Sequence, residues 1–276
     1  MNIPHSAIGN PAGDFTIEVW VKLTDIPSGS ADIISKIKNN GGSSRSGYAL
    51  EYNSSNGISA IMGTSNGWKK VEGSTWNLNE WHHVALVYNA STDLLELFDN
   101  GDSQGTDTVN NPVFNAMDLY FGSSDYYTSN LLSGQIDEVR LWDAALDSVQ
   151  IRENMYQTLS GYESGLVSYW QCNDGSGTIL LDIVSGNDGT LTNMTDDDWV
   201  LSSAPIPFAT VANGDWEQDT IWDVGQNAPI NPWSRVKIKH HDTLNSNMEV
   251  IEIIVDTNAV MTISAGDTLR VTRHKP

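Results

Sequence analysis

Residues 134–151, GQIDEVRLWDAALDSVQI, pass from a strand through a turn into a capped helical turn with almost no slack, and no other stretch constrains the fold as tightly. From Ile136 to Trp142 the residues alternate. Ile136, Glu138, Arg140 and Trp142 are expected on one face, and Asp137, Val139 and Leu141 on the other. Both faces carry apolar residues. Asp147 stands where a helix N-cap belongs, Gln150 follows three residues on to complete a capping box, and a short helical segment is expected to about Tyr156. The unit is a signature of architecture and carries no catalytic pattern.

Other segments extend the β reading. FTIEVWVKL puts Phe15, Ile17, Val19, Val21 and Leu23 on one face, the period of a half-buried strand. WHHVALVYN and LELFDNG read as two antiparallel strands, with Asn100-Gly101 supplying the positive φ angles of a tight hairpin. GLVSYWQCNDGSG followed by SGNDGTL closes the region. In this order, over residues 1–204, these motifs resemble the laminin-G-like and pentraxin-like branch of the concanavalin A-type jelly rolls. The resemblance implies an all-β, two-sheet antiparallel jelly-roll sandwich. It also implies that Trp20, Trp76, Trp81, Trp142 and Trp170 pack in the fold instead of stacking on sugars. Such domains usually open with a strand of the form apolar-x-Phe-Asp-Gly ahead of the segment that here reads MNIPHSAIGNPAGDF, so a fragment or a processed product is expected. The N-terminus shows no signal-peptide pattern, and no apolar run reaches the length of a membrane span.

A change of pattern follows SSAPIPF. Residues 205–212 read as a linker, and residues 213–276 as a second, smaller β-rich module that leans on the first or continues into further sequence. Its β-branched residues alternate along short strands separated by Asn-Ala and Ala-Gly-Asp turns. The module resembles the small Trp-rich, all-β repeats of Bacteroidota surface proteins. A simple β spacer is the plainest role for it.

The 276 residues carry 35 Asp plus Glu against 14 Lys plus Arg, a formal charge of −21. Such acidity repels phosphate backbones, so nucleic acid is not an expected partner, and it suits divalent cations and solubility outside the cell. Cys172 is the single cysteine, which excludes an internal disulfide and a cysteine-rich zinc site. It is expected to pack beside Trp170.

No catalytic constellation emerges. Glycosidases of this jelly-roll class place two carboxylates on one strand face around the sugar, whereas Asp137 and Glu138 are neighbours expected to diverge, with Arg140 as the ion-pair partner of Glu138. His82-His83 and His240-His241 diverge as metal pairs for the same reason. Calcium is the cofactor the resemblance implies, because loops at a sandwich edge supply the oxygen ligands it prefers. By analogy with pentraxins, Asn39 and Asn40 would meet Asp125 and Asn130. A second set is the closing turn with Asp182, Asn187 and Asp188. Both sets also read as ordinary Asx turns.

Trp68, in the polar turn TSNGWKK, and Tyr126-Tyr127, beside Asp125, are the candidate sugar-stacking residues. They read equally as covers of the sandwich edge. Five Asp-Ser/Thr-aliphatic triplets, centred on Thr108, Ser148, Thr220, Thr243 and Thr268, resemble the O-glycosylation acceptor of exported Bacteroidota proteins. The expected function is a non-catalytic secreted or cell-surface module for adhesion or carbohydrate recognition, with a glycan or extracellular protein ligand and neighbouring domains of a longer chain as partners. A structural repeat in a surface adhesin or filament is the alternative, and an accessory domain of a polysaccharide-degrading enzyme a more remote one.

Overall fold

A computed structural model describes the chain except residues 12, 41–43, 126–129, 201, 223–233, 251 and 273–276. Two compact units emerge: Met1–Ile151 with Leu159–Val200, and Arg152–Thr158 with Leu201–Pro276.

The first unit is a sandwich of two antiparallel sheets. One has six strands in the order Asp102–Thr108, Leu94–Asp99, Trp81–Asn89, Phe15–Leu23, Gly134–Trp142, Leu166–Trp170. The other has eight, in the order Ile179–Leu180, Gly189–Thr190, Asn2–Ile3, Leu119–Phe121, Ser30–Ser35, Tyr48–Asn53, Gly57–Thr64, Gly67–Glu72. Alternation along each strand sends one side inward, so Phe15, Ile17, Val19 and Val21 join Tyr48, Leu50, Tyr52, Ile58 and Met62 in a single buried core. The Asn100-Gly101 hairpin has the expected positive φ angles, 51° and 77°. Cys172 packs against this core, its thiol 3.8 Å from the Trp170 carbonyl.

The strand Gly134–Trp142 departs from simple alternation. Asp137 pairs with Trp20 and Arg140 with Glu18, so Glu138 and Val139 together face Val19 in a β-bulge. Glu138 takes the extra residue's left-handed conformation, φ 50°. The expected faces therefore change at this point. Ile136 packs toward the core with Val139 and Leu141, while Asp137, Arg140 and Trp142 register with outward residues of the neighbouring strand. The carboxylate of Glu138 reaches the outer face as well, where it meets Arg140 and Tyr169. Divergence of Asp137 and Glu138 is thus overturned by one inserted residue.

That outer face is sealed. Ala85, Val87, Phe98 and Trp142 pack with Leu146, Ile151, Leu159, Leu166 and Tyr169, and Thr16 accepts from Leu146 N–H while donating to the Ala144 carbonyl. The helix Ser148–Met155 begins at the predicted cap: Asp147 Oδ1 accepts from Val149 and Gln150 N–H, and Gln150 answers at the Asp147 N–H, all at 2.9 Å.

The second unit is built from parallel strands, which alternation alone does not announce. Residues 205–212, expected to be linker, contain the strand Phe208–Ala209, which pairs in parallel with the strand Arg235–Ile238. That strand in turn pairs in parallel with Glu252–Val255. Gly214–Asp215, His241–Leu244 and Val260–Ile263 form a second parallel sheet, and Met248–Val250 with Leu269–Val271 a third. The chain therefore climbs as a coil. The Asn-Ala and Ala-Gly-Asp turns are its corners and not hairpins. The aliphatic residues Val236, Ile238, Leu244 and Val250 of the second rung are buried, as are Trp216 and Trp222 before it.

Candidate functional site

The two outer faces of the sandwich carry most of its unusual charges. On the six-stranded sheet, Arg140 is fully buried between Glu138 Oε2 at 2.6 Å and Glu18 Oε1 at 3.4 Å, with Trp142 Nε1 donating to Glu18 at 3.0 Å. Tyr169 donates to Glu138, and its ring lies 5.2 Å from the Arg140 guanidinium. Burial pushes the Glu18 carboxyl above its usual range even though Arg140 opposes the shift. Burial and then Arg140 hold His83 well below the usual histidine range, so this imidazole is neutral. A network so enclosed organises the sheet and offers no path to a ligand.

The eight-stranded sheet presents a different surface. Its outward positions run across four strands: Trp68, Lys70 and Glu72 on the edge strand, Ser59 and Ile61 next, then Ala49 and Glu51, then Asp32. Trp68 and Glu72 are exposed, Lys70 and Glu51 half-buried, and Ser59, Ile61, Ala49 and Asp32 buried, with Ile37 packed over Ala49 and Ile61. Lys70 Nζ lies 3.0 Å from Glu72 and 3.9 Å from Glu51, and Asn56 donates to Glu72 at 2.8 Å. Trp68 is 39% exposed, with the Arg45 guanidinium 4.9 Å from its ring centre. Gly63, the register partner of Trp68, permits that approach, because a Cβ there would lie 2.4 Å from the Arg45 carbonyl. An indole braced at one face by a cation and flanked by charged hydrogen-bonding groups is a platform for a polyhydroxylated ring.

Asp32 ends the row. It is 3% exposed, its N–H donates to the Asn130 carbonyl at 3.1 Å, and its carboxyl takes side-chain hydrogen bonds from Ser124 and Asn130. One oxygen, Oδ2, has no hydrogen-bond partner among the described residues. Burial pushes this carboxyl up to about 7, the bonds to Ser124 and Asn130 pulling the other way and Glu51 adding to the rise. Asp125, next to Ser124 in sequence and exposed, accepts from the Tyr120 hydroxyl.

The residues expected from the sequence fall variously. The structure sets Asp32 beside Asn130, whereas Asn39 lies further along the hairpin, paired with Arg45, and the Asn40 N–H donates to the Ser44 carbonyl. In the closing turn, Asp182 Oδ1 accepts from the N–H groups of Tyr169, Val184 and Ser185, and Oδ2 accepts from the Ser185 hydroxyl. Asp188 accepts from Asp182 N–H, and Asn187 donates to Ser6. These bonds make a self-capped Asx turn. Among the described residues, no three His, Cys, Asp or Glu side chains cluster to hold a metal ion. Tyr126 and Tyr127 lie outside the described residues. Thr108, Thr220 and Thr268 are exposed, and Ser148 and Thr243 half-buried.

The sequence reading passed over Arg45, Glu51, Lys70 and Asp32. The signal available was a charge within an otherwise apolar strand, as in SADIIS and YALEYN. It also passed over Tyr162, which the loop Ser160–Glu163 holds 94% exposed, with Glu163 accepting from the Ser160 and Gly161 N–H groups.

Comparison with known proteins bears on the fold. A crystal structure of a Bacteroides ovatus protein provisionally assigned to carbohydrate binding aligns at 18% identity and a TM-score of 0.52, over 66% of this chain and 52% of its own. The chain thus spans about half the length of that protein. The CBM40 of the Ruminococcus gnavus IT-sialidase aligns at 13% identity and TM-score 0.44, over 54% of this chain and 92% of its own. A heptameric SAP-like pentraxin from Limulus polyphemus aligns at 14% identity and TM-score 0.39, over 55% of this chain and 70% of its own. No curated protein matches the sequence. The profile of the concanavalin A-like lectin/glucanases superfamily matches residues 1–152, more than half of the chain and the bulk of the sandwich, and the chain belongs to that superfamily.

Proposed function

We propose that the first unit is a non-catalytic carbohydrate-recognition module, working at the cell surface or in secretion, whose binding surface is the accessible edge strand Gly67–Glu72 of the eight-stranded sheet. The observation that carries this reading is Trp68, an exposed indole braced by Arg45 at the head of a charged row. Its ring would stack on a pyranose face while Lys70, Glu72 and Asn56 bond to hydroxyls. The Bacteroides ovatus protein with the same fold lends support through its assignment. The absence of catalysis rests on Glu138, the strand carboxylate nearest a glycosidase pattern, being sealed against Arg140 and Tyr169.

Calcium belongs to the proposal. The unpartnered Asp32 Oδ2, with Ser124, Asn130 and Asp125 nearby in the same loop region, offers the oxygen donors that a hard cation takes. Bound there, calcium would favour the ionised form of Asp32. The O-glycan acceptors Thr108, Ser148, Thr220, Thr243 and Thr268 fit an exported protein, and intact-mass measurement of native material should show added hexose.

A glycan-array screen of the intact chain, in calcium and again in excess chelator, tests both parts. Hits that weaken in chelator and disappear in Trp68→Ala support the reading. Silence in both conditions, with an unchanged melting temperature, would leave a structural surface module in its place.

A further inference from the structure

The second unit ends differently at its two sides. At the first rung the chain folds back on itself: Val211 N–H donates to the Ile221 carbonyl at 2.7 Å, and Thr210 bridges Trp222 in antiparallel fashion. Phe208, Trp216, Ile221 and Trp222 are buried there, and Trp222 Nε1 donates to the Trp216 carbonyl. That side is closed by aromatic rings.

Among the described residues the third rung has no such cover. Glu252–Val255, Val260–Ile263 and Leu269–Val271 each stand last in their sheet, paired on one side only among the described residues. Register shows what their side chains should be doing. Val255 lies over Ile238, Ile263 over Leu244, and Val271 over Val250. The lower member of each pair is fully buried; the upper members are 43–46% exposed. The inner aliphatic column of the coil therefore continues into a layer with no strand above it among the described residues.

Rung-to-rung contacts repeat a pattern. Arg235 pairs with Glu252 at 2.7 Å, Lys237 with Asp256 at 3.4 Å, and at the corners Ser264 donates to Asn245 and Thr268 to Asn247. Paired positions are 17, 19 and 21 residues apart on the three sheets, from Arg235 to Glu252, His241 to Val260 and Met248 to Leu269. At the crossing from one rung to the next, a single residue separates Val250 from Glu252.

We propose that the third rung is a docking edge for a further turn of the same parallel coil: a polypeptide of three short strands, about twenty residues long, with an aliphatic residue over each of Val255, Ile263 and Val271. Continuity with the interface between the second and third rungs carries this choice. A second copy of the chain is a poorer occupant. Its first rung is already closed, so it could offer only its third, antiparallel to the parallel stacking seen below, and two chains of charge −21 repel.

The test is a chain in which residues 252–272 are repeated once, directly after Thr272, followed by hydrogen exchange. Amides of the original third rung should exchange about tenfold or more slowly, as interior rungs of a stack do. Val255→Lys and Ile263→Lys made in the added copy should return them to the original rate. Unchanged exchange in the extended chain, or protection that survives those lysines, would overturn the proposal. An arm that needs no altered chain adds residues 252–272 as a free peptide to the intact protein, and equal protection by a scrambled peptide would count against it. Light scattering of the intact chain should show a monomer. A dimer dispersed by Val255→Lys would give the edge to a second copy instead and overturn the choice made above.

Discussion

The two outer faces of the sandwich hold similar charges and use them in opposite ways. Around Arg140, two glutamates, a histidine and a tyrosine are buried on the face where Leu146, Ile151, Leu159 and Leu166 pack, and their charges meet one another. Across the other sheet, Lys70, Glu51 and Glu72 share a face with an indole that solvent reaches, while Asp32 at the far end of the row is itself buried. The comparison teaches that a charged strand face says little about function until it is known what covers it. Desolvated charges must satisfy one another, whereas a face at the surface can leave capacity for a ligand.

The largest expected effect falls on the covered face. Arg140→Met leaves Glu18 and Glu138 buried without their counter-charge, and breaking a buried pair from one side costs about 3–5 kcal/mol. Denaturant unfolding should show that loss, or a chain that no longer folds. Adding Glu18→Gln and Glu138→Gln to Arg140→Met should recover much of it. If Arg140→Met alone is nearly neutral, the two faces differ less than their burial implies. His83 sets a pH window on the same side. Its folded value lies below the unfolded one, so the stability it contributes is present above about pH 6.5 and is lost as pH falls through that region. His83→Gln should flatten the fall in melting temperature on the acid side of pH 6.5.

Asp32, the buried end of the other row, sharpens the comparison with a smaller effect and the opposite sign. Its folded value is raised to about 7, so the unfolded chain ionises first as pH rises. Stability from this group is fully present below about pH 4 and is lost as pH rises toward 7. In chelator at pH 8, Asp32→Asn should raise the melting temperature by about 2–4 °C, what roughly 1 kcal/mol moves in a domain of this size. The variant should also remove any calcium response. A lower melting temperature at pH 8 would mean that Asp32 is a satisfied structural carboxylate and no candidate cation ligand.

Legibility in the sequence follows the same physics. The strands Phe15–Leu23 and Trp81–Asn89 stand where alternation places them, because each has a dry side and a pattern of period two. The cap at Asp147 and the hairpin at Asn100-Gly101 were equally legible, being local hydrogen bonding and local φ angles. The bulge was not. Glu138 is neither Gly nor Asn, and its left-handed backbone is held by Arg140 and Tyr169 from other positions in the fold. The parallel coil was hidden for another reason: Ile238 and Val255 obey the same alternation whether their strands run together or opposed, and the partner lies 17 residues away. At the candidate site Trp68 was visible as an aromatic in a polar turn, whereas Arg45 reaches it through a close approach that only the packing of Gly63 reveals.

The smallest effect on stability, and the most telling one, belongs to Trp68→Ala. The side chain sits on an edge strand, partly in solvent, and among the described residues its ring contact is the Arg45 cation, a contact of about 0.5–1 kcal/mol at exposed sites. Its removal should therefore lower stability by less than about 1 kcal/mol. Glycan affinity should fall about tenfold or more, the equivalent of at least 1.4 kcal/mol at the ligand. Tyr162→Ala serves as the control, since that ring is exposed but stands apart from the row, and it should change neither quantity. Calorimetry with a glycan taken from the array separates the outcomes. If Trp68→Ala costs several kcal/mol of stability, the indole is a structural cover and the open face resembles the sealed one. If Tyr162→Ala removes binding and Trp68→Ala does not, the ligand sits on the cover of the six-stranded sheet, and the contrast between the two faces is reversed.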